Sequence, residues 1–162
     1  MRFLAGKETS QSLWDTLTRL LLTYRRVSTD DLNFLTVHGK SRFPGLAVWL
    51  RDGTRLPVAT PPGCLLLQAG KQLEWLTGGE VKAGYHEVVL PPAAAPLVEA
   101  AKSAGRSTWR VSSTVFAHIA YDATLRPLGK FAGTREAGEG QYPPTKAGQY
   151  VNEELAVIKL KA

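Results

Sequence analysis

Residues 61–90, PPGCLLLQAGKQLEWLTGGEVKAGYHEVVL, decide how this chain is read. Pro61, Pro62 and Gly63 make a turn, and residues 64–67 (CLLL) are a short apolar run of the kind that fills a fully buried strand. Ala69 and Gly70 break the run. Residues 71–76 supply one or two helical turns carrying Leu73 and Trp75. Gly78 and Gly79 stop them, because a residue without Cβ enters the left-handed backbone region that a helix exit often needs. Residues 81–90 return as a strand, with Gly84, His86, Val88 and Leu90 on one face and Tyr85, Glu87 and Val89 on the other. His86 therefore points the same way as apolar residues, a placement that serves either a hydrogen-bonded core histidine or a ligand.

A chain of 162 residues with 44% hydrophobic content suits one compact domain able to bury a sizeable core. Twenty Lys and Arg against fourteen Asp and Glu leave a formal charge of +6, which favours anionic ligands. The basic residues are scattered along the chain, so a solvated surface accounts for them better than a nucleic-acid footprint. One cysteine, Cys64, excludes an internal disulfide and any multi-cysteine metal site, and suits a reducing compartment. The N-terminal residues lack the apolar core of a signal peptide, and no run approaches the ~20 apolar residues of a membrane span. The expectation is a soluble, cytoplasmic protein.

Residues 8–22 have helical spacing, with Leu13, Trp14, Leu17, Leu20 and Leu21 on one stripe. Residues 32–37 are rich in strand formers, ended by Gly39. Residues 46–51 alternate as a strand, and Asp52-Gly53 turns them into a second strand at 55–59, a hairpin signal. Residues 97–104 form an alanine-rich helix closed by Gly105. Residues 107–119 are the longest strand expected, with Arg110, Ser112, Thr114, Phe116 and His118 on one face. Glycine, proline and charge accumulate over 129–144, which reads as a mobile loop outside the core, and a helix is expected over 146–160. The fold expected is mainly β, an antiparallel sandwich or barrel of jelly-roll type with helices at the two ends.

Five blocks carry a resemblance: DLNFLTVHG at 31–39, PGLAVWLRDGTRLPV at 44–58 followed by PPG, LLLQAGKQLEWLTGGEVKAGYHEVV at 65–89, WRVSSTVF at 109–116 and YPPTKAGQYV at 142–151. In this order they resemble the C-terminal catalytic core of the iron(II)/2-oxoglutarate-dependent oxygenases of the isopenicillin N synthase type. Gly70, Leu73, Trp75, Thr77, Gly79 and His86 form the most specific part, similar to the helix, glycine turn and strand that deliver the family's distal metal histidine.

The resemblance implies a double-stranded β-helix (jelly roll) holding Fe(II) by two histidines and a carboxylate, with open sites for 2-oxoglutarate and dioxygen. It implies His86 and Asp31 as metal ligands, 55 positions apart. Arg110 and Ser112 match the family's Arg-x-Ser pair for the far carboxylate of 2-oxoglutarate, which a guanidinium suits through two parallel N–H donors. Tyr24 lies where the family often has a tyrosine near the cosubstrate. Read without the resemblance, Asp31 caps a turn, Arg110 pairs with a core carboxylate, and Ser112 satisfies a backbone group. His118 is read as inward packing.

One departure matters most. The family motif is His-x-Asp; with Asp31 as the carboxylate the histidine position holds Thr29, and with Asp30 it holds Ser28. His38 lies an odd seven positions from Asp31, on the opposite face of a regular strand. The distance from His86 to Arg110 is also longer than usual, and the chain begins close to where the family's core begins. The resemblance thus implies an oxidoreductase coupling 2-oxoglutarate decarboxylation and dioxygen to hydroxylation, desaturation or cyclisation of a small organic substrate. The alternative is an inactive descendant that binds a ligand or partner, and no nucleic acid or membrane is expected as partner.

Overall fold

The computed structural model describes residues 30–132 and 141–157. The helix expected over 8–22, and Tyr24, Ser28 and Thr29, lie outside the described residues. By its contacts the chain divides into two compact units. The first comprises 39–64 and 85–113; the second comprises 30–38, 65–84 and the described residues from 114 onward. Eight short strands in small sheets, with helices beside them, make the described fold mainly β.

In the first unit, strand β2 (Leu46–Trp49) lies between β3 (Arg55–Pro57) and β5 (His86–Val88), antiparallel to both. The Asp52-Gly53 hairpin forms as expected. Gly53 takes φ 83°, Thr54 N–H donates to Asp52 Oδ1 at 2.8 Å, and Trp49 pairs with Arg55. A helix at Ala95–Ser103 ends at Gly105, φ 64°, and buries Val98 and Ala101 against Phe43.

In the second unit, β1 (Leu35–His38) is the central strand between β4 (Leu66–Ala69) and β6 (Thr114–Ala117). The expected helix forms at Lys71–Leu76 (α1) and leaves through Gly78 at φ 56° and Gly79 at φ 85°. Ala147–Val157 is a second helix, whose Ala147 and Tyr150 pack with Leu125, Trp75 and Ile119 into a core. Full burial of a side chain such as Leu125 contributes about 1.5–3 kcal/mol. Among the described residues no helix is long and apolar enough to cross a membrane.

Several expectations need correction. The run at 64–67 is not a buried strand: Leu65 and Leu67 are about two-thirds exposed, and the buried residue of β4 is Gln68. Strand structure over 81–90 is confined to His86–Val88, where Glu87 is buried and Val88 exposed, because Glu87 accepts from Arg55 Nε at 2.7 Å and is drawn inward. The strand expected over 107–119 is regular only at Thr114–Ala117. Its first half pairs irregularly with the segment after β1, through Gly39 N–H to Ser113 O at 2.8 Å and Ser41 Oγ to Val111 O at 2.7 Å. His118, beyond the regular strand, is exposed rather than inward. The segment 129–144 reaches the core at its far end, where Tyr142 is buried beside Trp75, with ring centroids 5.8 Å apart.

Candidate active site

His86 stands on β5 opposite Val48, which in turn faces Leu56 on β3. Directly paired residues share a sheet face, so the half-buried imidazole does lie in an apolar row, as the alternation implies. Glu87 projects from the other face toward Arg55, and Arg55 also lies over the Trp49 ring, 5.7 Å from its centroid.

Arg110, in the same unit, lies in the irregular segment before β6. Its Nε is buried and has no hydrogen-bond partner among the described residues. Burial pushes the guanidinium below its ordinary value, although an arginine stays protonated at any physiological pH. A buried cationic donor without an acceptor costs about 1–3 kcal/mol or more, so this group calls for an anion. Gly45 provides the room: a Cβ there would lie 3.2 Å from Arg110 Nε and 2.5 Å from Val89 O. Ser112 is exposed two positions along.

Asp31 belongs to the second unit. Its Oδ2 accepts from Thr36 Oγ1 at 2.6 Å and from Gln68 Nε2 at 3.0 Å. Its carbonyl accepts Lys71 N–H at 2.7 Å, at the start of α1. Asp30 is engaged differently, with Lys71 Nζ 3.3 Å from its Oδ2. The helix also positions Glu74. Its carboxylate accepts from Ala83 N–H and from the Tyr142 hydroxyl, each at 2.8 Å, and Lys71 Nζ lies 3.2 Å away. Gly79 is needed here, since a Cβ would come 2.7 Å from that hydroxyl.

The structure thus describes His86, Arg110 and Ser112 in one unit and Asp31 in the other. Among the described residues no group of three or more His, Cys, Asp or Glu is arranged to hold a metal ion. Ser28 and Thr29, where the resemblance implies a further protein ligand, lie outside the described residues. The buried Nε of Arg110 suits an anionic group such as a carboxylate of 2-oxoglutarate. Sequence reasoning missed Thr36, Gln68 and Tyr142. Residue order marks the first two only as polar residues within the short strands LTVH and LLQA, which does not tell inward from outward.

The 2OG-Fe(II) oxygenase superfamily model matches residues 19–119, which include Tyr24, Asp31, His86, Arg110 and Ser112. The chain belongs to this superfamily, whose cofactors are Fe(II) and 2-oxoglutarate. A search of curated proteins finds no match. Among solved structures, a 2OG-Fe(II) oxygenase family protein from Caulobacter crescentus is 29% identical with TM-score 0.63, over 83% of this chain and 40% of that one. A full-length Neurospora crassa protein in complex with alpha-KG and thymine is 16% identical with TM-score 0.66, over 87% of this chain and 40% of that one. An oxygenase from Shewanella oneidensis is 19% identical with TM-score 0.61, over 99% of this chain and 46% of that one. The last two show a shared fold alone. The chain spans less than half the length of each of these structures.

Proposed function

We propose that this chain is the double-stranded β-helix core of an isopenicillin N synthase-like oxygenase, coupling 2-oxoglutarate decarboxylation to oxidation of a small organic substrate. Asp31 and His86 are its metal ligands, and Arg110, with Ser112 and Tyr24, holds the cosubstrate. The observation that carries this reading is the buried Arg110 Nε without an acceptor. A dicarboxylate supplies what that guanidinium lacks: one carboxylate takes its N–H donors while the oxoacid end remains for chelation. Support for a small substrate comes from structural neighbours whose crystals contain thymine, or 2OG, Fe and JA.

When bound, Fe(II) supplies dioxygen activation beside the chelated oxoacid. The chain's residues do the rest. Arg110 orients the cosubstrate through its far carboxylate, and Gly45 leaves space for the guanidinium to approach. Asp31 offers a carboxylate oxygen and His86 an imidazole nitrogen, a hard and a borderline donor that suit a divalent first-row metal.

Thr29 in place of the proximal histidine favours a second reading, a chain that binds the oxoacid without turning it over. The experiment is anaerobic titration of Fe(II) and then 2-oxoglutarate into the full chain, His86→Ala and Asp31→Ala, followed by measurement of succinate in air. Loss of metal binding in both variants, with succinate from the native chain, supports the oxygenase. Oxoacid binding without succinate selects the second reading. Binding of neither ligand by the native chain overturns both.

A further inference from the structure

Thr36 and Gln68 are direct partners across the antiparallel pair of β1 and β4, so their side chains share one face. Both are buried, and both reach the same oxygen of Asp31. Hydrogen-bond chemistry fixes the direction of each bond. Gln68 Nε2 also lies 3.1 Å from the carbonyl oxygen of Gly84. Carbonyl and carboxylate oxygens only accept, so the amide must present its two N–H groups to them; the reversed amide would set oxygen against oxygen. Asn33 Nδ2 is fixed in the same way, because it lies 3.1 Å from Leu35 O, and it donates to Thr36 Oγ1 at 2.8 Å. The Thr36 hydroxyl, accepting from Asn33, directs its single proton to Asp31 Oδ2 at 2.6 Å.

We infer that Thr36 and Gln68 are positioning residues that clamp the Asp31 carboxylate through Oδ2, their polarity locked by the main-chain carbonyls of Leu35 and Gly84. The inference rests on the reading of Asp31 as a metal ligand only for its functional consequence. An oxygen of a carboxylate has about two acceptor sites, and these two donors occupy both on Oδ2. The glycine at 84 belongs to the device, since a Cβ there would lie 2.9 Å from Gln68 Cγ and displace the amide. A carboxylate held in one orientation before metal arrives binds it more tightly than one that must be ordered at that moment.

Two readouts on the full chain test this. In metal-free protein, the side-chain amide resonances of Gln68 are followed by NMR on Asp31→Ala; a clear shift is expected, and unchanged resonances overturn the clamp. Anaerobic calorimetry with Fe(II) alone then compares the native chain with Thr36→Val, Gln68→Leu and Thr36→Ser. Removal of either donor is expected to weaken Fe(II) about tenfold or more, while Thr36→Ser, which keeps the hydroxyl, retains affinity. Equal affinity in all four overturns the positioning role. If the native chain binds no Fe(II) while the Gln68 resonances still answer to Asp31→Ala, the clamp stands and the reading of Asp31 as a metal ligand fails. Should Thr36→Val not fold, Gln68→Leu and the NMR readout decide.

Discussion

Gly45 and Arg110 are close neighbours: a Cβ on residue 45 would sit 3.2 Å from Arg110 Nε, a contact tight enough to press on the guanidinium. The same Cβ would press on Val89 O at 2.5 Å, a main-chain atom with little freedom to move. Gly45→Ala is therefore expected to destabilise the first unit by about 1–3 kcal/mol, the usual range for overpacking. It should also weaken 2-oxoglutarate binding, because Arg110 is displaced. Denaturant unfolding and calorimetry on one preparation would show both effects. Unchanged oxoacid affinity would mean that Arg110 tolerates displacement or does not bind the oxoacid.

The Glu87–Arg55 pair makes a second prediction. Glu87 is buried, Arg55 half exposed, and their separation is 2.7 Å. Arg55→Ala leaves a buried carboxylate without its charged donor and should cost about 1–3 kcal/mol. The double replacement Arg55→Ala with Glu87→Gln should recover part of that loss, since a neutral amide is easier to bury. A double-mutant cycle by denaturant unfolding measures the coupling, and strictly additive losses would contradict it.

Acid stability has a defined sign in the second unit. Burial pushes the Glu74 carboxyl up, but the Ala83 N–H, the Tyr142 hydroxyl and Lys71 outweigh it and hold the group below its ordinary 4.5. A depressed folded-state value means that the unfolded chain takes up the proton first. The stabilisation is therefore complete above the ordinary value and lost as pH falls through the folded one. Unfolding midpoints of the native chain should drop across this acid range. Glu74→Gln should start lower at neutral pH and fall less steeply. Parallel pH profiles for the two proteins would refute the assignment.

Much of this was readable from residue order, for identifiable reasons. Asp52-Gly53 and Gly78-Gly79 specify backbone conformations that few other residues adopt, so the hairpin and the exit of α1 appear where expected. Strand lengths were overestimated. Alternation in the sequence continues through 107–113 after regular pairing has stopped, and a pattern of side chains carries no information about ladder bonds. Glu87 shares the face opposite His86 by alternation, and Arg55, thirty-two positions away, makes its burial tolerable. Asp31, His86 and Arg110 were named as site residues only through likeness to a family. The donors that hold Asp31 were not, because an inward Thr or Gln on a strand has the same local signature as an outward one.

Thr29 allows a gain-of-function prediction. Imidazole is a stronger ligand for a divalent first-row metal than a hydroxyl, so Thr29→His should tighten Fe(II) by more than about tenfold. Anaerobic calorimetry beside His86→Ala would show opposite shifts. Identical affinity for Thr29→His and the native chain would place the missing ligand elsewhere.

Arg110 is proposed to receive a carboxylate of 2-oxoglutarate. The most direct measurement is anaerobic titration of 2-oxoglutarate into the Fe(II)-loaded native chain and into Arg110→Ala. A buried charge-assisted pair of about 2–3 kcal/mol corresponds to a loss of roughly 30- to 150-fold in affinity. Tight binding by the native chain and that loss in the variant are expected; equal affinity in the two proteins would rule out this role for Arg110.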